Sequence, residues 1–299
     1  MRAIASRSGQ KAADAARSLG IQKSYGSYEE LLADREIEAV YIPLPNHLHA
    51  QWVKKAANAG KHILCEKPFA MDAGEAADAV RHAESKGVLL MEACMYRFHP
   101  LWQRAREIVR SGEIGAVHAI QTVFTYSNKD PANIRNIAEA GGGGIPDIGY
   151  YAVSSARFLL DREPDRVVSL VHRDPVLKTD TLSSAILDFG SARALFTVAT
   201  QSFPAQRVEV FGAGGSISLP QCFNIFPDVP SLFIVSTSLG SRTVSHPAVD
   251  QYALLFEGFS IAVREGGPIP IPPRDAVENM KVLDALFRSE KTGAWEKTG

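Results

Sequence analysis

Lys67 is the first residue that calls for a chemical explanation. It follows His62-Ile63-Leu64-Cys65-Glu66 and precedes Pro68. An ammonium at the rim of an apolar strand is costly unless something uses it. The adjacent Glu66 is read as the group that keeps it charged. Far along the chain, Asp147 and Tyr151 follow four consecutive glycines, Gly141 to Gly144. Residues four apart on a helix share a face. Asp147 can also serve as a helix cap, and Tyr151 as a core aromatic. The glycine run follows no strand, so it does not fit a phosphate loop. It is read as letting backbone pass close to a ligand or to another segment.

Two smaller clusters accompany these. Ala5-Ser6-Arg7-Ser8 closes the first apolar run, with Lys11 one helical turn further on. A guanidinium is planar, always charged and suited to phosphate. Pro43-Leu44-Pro45-Asn46-His47-Leu48-His49 closes another. Prolines end a strand and fix a turn, and Asn46 is read as the cap of the next helix. His47 and His49 point different ways from a helix start, so no metal site is expected. Cys65, Cys94 and Cys222 match no ligand spacing and are read as buried thiols of a reducing cytoplasm.

The elements that carry these residues alternate. Strands are expected at Arg2–Ala5, Ala39–Ile42, His62–Cys65 and Val88–Ala93. Helices are expected at Gly9–Leu19, Tyr28–Ala33, His47–Ala59 and Ala73–Ser85. Strand, helix, strand at this spacing implies parallel βαβ units in a doubly wound sheet, with ligands beyond the carboxyl ends of the strands. Those ends hold Ser6-Arg7, Pro43 to Asn46, Glu66-Lys67-Pro68 and Met95-Tyr96-Arg97. Past a helix at Leu101–Val109 come longer strands at Val117–Tyr126, Arg166–His172, Ser183–Phe189, Ala192–Thr200 and Arg207–Phe211. Helices are expected at Ile148–Leu160 and Arg274–Phe287. Gly190-Ser191 and the Pro204 stretch suggest two hairpins. The reading is α/β: a dinucleotide-binding domain over 1–115 that lacks its first βα unit, then an α/β domain over 116–299 with a large, mostly antiparallel open sheet. A start downstream of that first unit is the simplest explanation of its absence.

Lys+Arg 32 against Asp+Glu 33 leaves a net charge of -1, which gives no electrostatic reason to expect nucleic acid. No apolar run is long enough to predict a membrane span.

Taken together, the motifs resemble the Gfo/Idh/MocA oxidoreductase family. They are Glu66-Lys67-Pro68, Met95-Tyr96-Arg97-Phe98-His99-Pro100, the glycine run before Asp147-Ile148-Gly149, and Phe211-Gly212 with Gly215-Ser216-Ile217. Tyr151, where many inositol dehydrogenases carry histidine, is similar to the branch of trans-dihydrodiol dehydrogenase, NADP-dependent D-xylose dehydrogenase and glucose-fructose oxidoreductase. The resemblance implies hydride transfer between a nicotinamide and a sugar or cyclic diol hydroxyl. It implies that Lys67 and Tyr151 are catalytic and that Asp147 holds substrate hydroxyls. It places Ser6, Arg7, Lys11, Leu44, Asn46, His49, Glu66, Lys67, Arg97 and Arg135 near the cofactor. With arginine rather than an acid at Arg7, NADP is expected over NAD. Tyr151 is expected to act as general base, made more acidic by Lys67. A homodimer or homotetramer through the second sheet is expected. The absent glycine turn puts independent cofactor binding in question, and a non-catalytic sugar-binding homologue is the rival reading.

Overall fold

The computed structural model describes residues 1–299. Strand β1 (Ala3–Ala5) runs into helix α1 (Gly9–Leu19), followed by β2 (Lys23–Tyr25), α2 (Tyr28–Ala33), β3 (Ala39–Ile42), α3 (Asn46–Asn58), β4 (His62–Glu66), α4 (Ala73–Ser85) and β5 (Leu90–Ala93). The helices form because small apolar residues recur at helical spacing and their ends are capped. Ala50, Val53, Ala56 and Ala57 bury one stripe of α3, and Ala76, Ala79, Val80 and Ala83 one stripe of α4. Side chains of Ser8, Ser27 and Asp72 accept from the N–H groups of Lys11, Glu30 and Glu75. Gly20 ends α1 in the left-handed conformation that a side chain would strain.

The strands of this half are parallel and fall into two groups, β1–β2 and β3–β4–β5, with no hydrogen-bonded pairing between the groups. Each group has the parallel strands with intervening helices of a doubly wound sheet. The turn from β1 to α1 is Ser6-Arg7-Ser8 rather than a glycine turn.

Helix α5 (Pro100–Ser111) leads into β6 (Val117–Ser127), α6 (Tyr150–Leu160), β7 (Arg166–Arg173), β8 (Asp180–Asp188), β9 (Arg193–Ala199), β10 (Gln201–Gly212), β11 (Gly215–Leu219), β12 (Ser231–Thr237) and β13 (Gly240–His246). Helices α7 (Gln251–Glu265) and α8 (Pro273–Thr292) and a short β14 (Glu296–Lys297) complete the chain. The second sheet has nine strands in the order β13-β12-β11-β10-β6-β9-β8-β7-β14, and only β6–β9 is parallel. Period-2 alternation sorts its faces: Ile120, Phe124, Phe196, Val198, Val208 and Val210 are buried, while Val123 and Leu182 stay exposed on the other side.

Of the two expected hairpins, β8–β9 forms across Gly190-Ser191. The second does not. Strand β6 lies between β9 and β10 and pairs with both, parallel to one and antiparallel to the other. Helix α8 returns to the first half, where the Ala73 N–H donates to Asp284 Oδ2 at 2.9 Å. One hydrophobic core therefore runs through both halves.

Candidate active site

A cleft of about 980 Å³ lies beyond the carboxyl ends of β3 and β4 and is closed on its far side by β6, β10 and the start of α6. Its walls include Tyr41, Leu44, Asn46, Glu66 and Lys67 from the first half. The second half contributes Tyr126, Arg135, Asp147 and Tyr151. A volume near the upper end of the usual ligand-pocket range leaves room for a nicotinamide and a sugar ring side by side.

Asp147 is the electrostatic centre. The Lys67 ammonium donates to its carbonyl oxygen at 2.7 Å and to Oδ1 at 3.1 Å. Tyr126 Oη donates to Oδ2 at 2.8 Å and Arg135 Nε donates to the same oxygen at 3.1 Å. Burial pushes the Asp147 carboxyl up, but Lys67, Arg135 and the Tyr126 hydrogen bond outweigh it and hold it below the usual carboxylate range. Asp147 does not cap a regular helix. It lies in a wide π-type turn, Ile145–Gly149, and α6 begins only at Tyr150. Its carboxylate is thereby left free to face the cleft.

Three expectations about neighbours change. Glu66 is not the partner of the Lys67 ammonium. Its carboxylate accepts from Tyr41 Oη at 2.5 Å and from the Lys67 backbone N–H at 3.2 Å. Asn46 is not the cap of α3: it is the first helical residue, and its Nδ2 crosses to the Gly141 carbonyl at 2.9 Å. The Tyr151 phenol is not made more acidic. Its ring lies beneath the Lys67 ammonium, 4.7 Å from centroid to Nζ, and its hydroxyl meets the Met95 thioether at 3.5 Å. Burial pushes its pKa well above the ordinary value, with Tyr252, Glu66 and Asp147 adding to the rise. The ring itself is held by Phe223, 5.1 Å between centroids, and Phe124 at 5.7 Å.

The remaining candidates separate. Leu44 lines the cleft, and buried His49 bridges behind it, with ring nitrogens 2.6 Å from the Leu44 carbonyl and 2.8 Å from that of Pro68. His49 thus ties together the turns that follow β3 and β4. Ser6, Arg7 and Lys11 sit together at the end of β1, outside this cleft. Arg7 and Lys11 are exposed and form no ion pair. Arg97 does not face the cleft. It is buried behind α6, where it pairs with Asp275 at 3.0 Å and donates to Ser154 Oγ at 3.0 Å. Its side chain runs along the Phe158 ring, so the short turn Met95–Phe98 carries it inward. Tyr126 is the site residue that the sequence reading missed. The signal was its place at the end of an alternating strand, as a polar-tipped aromatic beside the inward-facing Phe124.

The chain matches two family models. The oxidoreductase family model with an NAD-binding Rossmann fold covers residues 1–94, and the GFO/IDH/MocA C-terminal domain covers residues 102–218. It belongs to the GFO/IDH/MocA oxidoreductase family. An uncharacterised oxidoreductase of Rhizobium meliloti is 46% identical over 98% of this chain and 90% of its own length. A D-xylose 1-dehydrogenase (NADP(+)) of Haloferax volcanii is 40% identical over 98% and 90%. Among solved structures, a 3-ketoreductase from Actinomadura kijaniata in complex with NADP and TDP-benzene superposes with a TM-score of 0.90 at 27% identity, covering 97% of this chain and 89% of that one. Solved forms of that ketoreductase include one with a tyrosine changed to phenylalanine and one with a lysine changed to alanine. Those two residues stand as far apart in that chain as Lys67 and Tyr151 do here.

Proposed function

We propose that this oxidoreductase moves hydride between NADP and a hydroxyl or keto carbon of a sugar or cyclic diol. The observation that carries the reading is the convergence of Lys67, Asp147 and Tyr151 on one cleft from separate halves of the chain. The residues present suit the two ends of the cofactor. The cleft at the ends of β3 and β4 accommodates a nicotinamide, and the unpaired cations Arg7 and Lys11 at the end of β1 suit a 2′-phosphate. When bound, NADP supplies or accepts the hydride.

The rest is the work of this chain. Tyr151 keeps its proton in the free protein, and a thioether is a weak acceptor for it. The phenol is thus poised to give that proton to a carbonyl oxygen as the carbon is reduced, and to take it back in the reverse direction. Lys67 has three N–H groups and uses two on Asp147. The third is available to hold the substrate oxygen and to stabilise charge that develops there or on Tyr151. Asp147 and Tyr126 orient the neighbouring hydroxyls, since a near-attack pose removes much of the barrier. Tyr151→Phe tests this. The ring and its packing against Phe223 remain, so folding and NADPH affinity should hold while kcat falls roughly 10²–10⁴-fold. Full activity in that variant would place the proton donor elsewhere.

The exposed face of the nine-stranded sheet supports assembly. Val123 and Leu182 are 42% and 47% exposed on it, with Leu232 and Ile234 beyond, and an apolar face of this extent favours cover by a second copy. A monomer in light scattering at micromolar concentration would contradict that. The three free, buried cysteines suit a cytoplasmic location.

A further inference from the structure

The glycine run Gly141–Gly144 has a use that the cleft itself does not explain, and it lies with Asp180. This carboxylate begins β8, 1% exposed, on the side of the run away from the cleft. Its Oδ2 accepts from the Ile145 N–H at 2.6 Å and from Ser183 Oγ at 3.1 Å. It occupies the space that side chains at Gly143 and Gly144 would fill. A Cβ on Gly143 would lie 2.0 Å from Oδ1, and one on Gly144 3.2 Å from Oδ2. Gly143 also has a φ of +132°, which side chains rarely adopt. The Gly143 carbonyl in turn accepts the N–H of Asp147 at 3.1 Å. The segment held by Asp180 is therefore the one whose carbonyl and carboxylate at Asp147 both receive Lys67.

We infer that Asp180 is a positioning residue for the reaction: it anchors the turn at Gly143–Ile145 and so fixes Asp147 and the start of α6 against Lys67. The wide π-type turn leaves Ile145 without a cap of its own sequence, because Gly144 has no side chain to offer. A carboxylate from the sheet takes that role. The inference rests on the reading of Asp147, Lys67 and Tyr151 as the reacting end of the cleft.

The test uses the full chain, NADPH, and whichever sugar of a pentose and hexose panel the parent turns over fastest. Rates are read well below the Tm of each variant. Asp180→Ala leaves a buried N–H without a partner and frees the turn. Its kcat should fall roughly 10- to 100-fold, the scale of a misplacement near 1 Å, with the Kd for NADPH unchanged by fluorescence. Asp180→Asn keeps an acceptor for Ile145 and should recover most of the rate. Gly144→Ala crowds the carboxylate without removing it, because Gly144 has an ordinary helical φ. It should lower kcat several-fold in the parent and cost less in the Asp180→Ala background, where the carboxylate contact is gone and only the contact with the residue-180 carbonyl, 3.3 Å from the added Cβ, remains. Parent-like kcat in Asp180→Ala overturns the inference, as does an Asp180→Asn protein as slow as the alanine variant. Should Asp180→Ala fail to fold, an undiminished kcat in Gly144→Ala overturns it instead. Tyr151→Phe, run alongside, separates the two levels. A slow Tyr151→Phe beside an unimpaired Asp180→Ala removes the anchor alone. A fully active Tyr151→Phe removes the site reading and the anchor with it.

Discussion

Of the buried carboxylates around the start of α6, Asp147 and Glu92 are driven in opposite directions by their surroundings. On the cleft side Asp147 receives Lys67, Arg135 and Tyr126, and is held below the usual carboxylate range. On the other side Glu92 in β5 is bonded to no cation; Tyr150 Oη donates to its Oε2 at 2.6 Å. Burial pushes Glu92 up to about 7. The nearest cation, Arg97, is committed to Asp275 and Ser154. Burial alone does not decide whether a carboxylate stays charged. Bonded cations do. The cleft therefore keeps a fixed charge pattern across the neutral range, while the interior behind α6 holds an acid that titrates within it.

The largest effect should follow from removing the cation that sets this difference. Lys67→Met should reduce kcat by roughly 10²–10⁴-fold, because the ammonium holds Asp147 and, on the proposed reading, meets the substrate oxygen. It should also change the pH dependence of stability. The folded-state pKa of Asp147 is depressed, so its ion pairing contributes stability above about pH 4 that is lost as pH falls through the folded value. Denaturant melts of parent and variant should therefore differ most at pH 7 and converge in acid. A constant difference from pH 7 to pH 3 would mean that Asp147 is not held by Lys67 in solution.

Glu92 gives the reverse sign. A raised folded-state pKa means stability that is present below about pH 4 and lost as pH rises through about 7. Glu92→Gln retains an acceptor for Tyr150 and removes that loss. It should stabilise the protein at pH 8 by roughly 2–3 kcal/mol relative to its effect at pH 4. The same stability change at both pH values would show that Glu92 does not titrate in this range.

The two sides of α6 also differ in how far the sequence reveals them. The elements of the first half were legible because alanine stripes, caps and glycine stops are local signals. Lys67, Asp147 and Tyr151 were legible through position and motif. Their partners were not, because partners come from distant segments. Nothing near Lys67 says that its ammonium turns to Asp147 while Glu66 turns to Tyr41. Nothing near Arg97 says that the turn after β5 carries it behind α6. Strand β2, three residues with the polar sequence Lys-Ser-Tyr, has no alternation to read. Helix α7 did carry a signal, since Leu255, Phe259 and Ala262 repeat at helical spacing after the Asp250 cap. The β9–β10 hairpin was misread because a turn in the chain reverses direction without fixing which strand becomes the neighbour, and β6 takes that place.

At the far end of the same half lies a second contrast, between cations engaged by carboxylates and cations left free. Arg7 and Lys11 have no protein partner, unlike Lys67. Arg7→Asp should therefore cost the fold little. It should reverse the sign of charge offered to a 2′-phosphate and shift the ratio of Kd for NADP over NAD by roughly 10- to 100-fold, the scale of one charge-assisted hydrogen bond. Fluorescence titration with both cofactors measures this. An unchanged ratio would place the 2′-phosphate away from β1.

The smallest effect separates two roles for Asn46. As a helix cap, asparagine and aspartate rank together, and a negative charge at a helix start is favoured by the dipole. Asn46→Asp would then be neutral or slightly stabilising. As the bridge observed here, Asn46 must donate, since its Nδ2 meets the Gly141 carbonyl. A carboxylate cannot donate, and it sets like partial charges against each other across the seam between α3 and the glycine run. A Cβ at Gly141 would already come within 2.9 Å of the Asn46 Cβ, so that seam has little room to readjust. Asn46→Asp should cost about 1 kcal/mol in urea melts at pH 7 and raise KM for the sugar a few-fold. The loss should fade below about pH 4, where the introduced acid is protonated and can donate again.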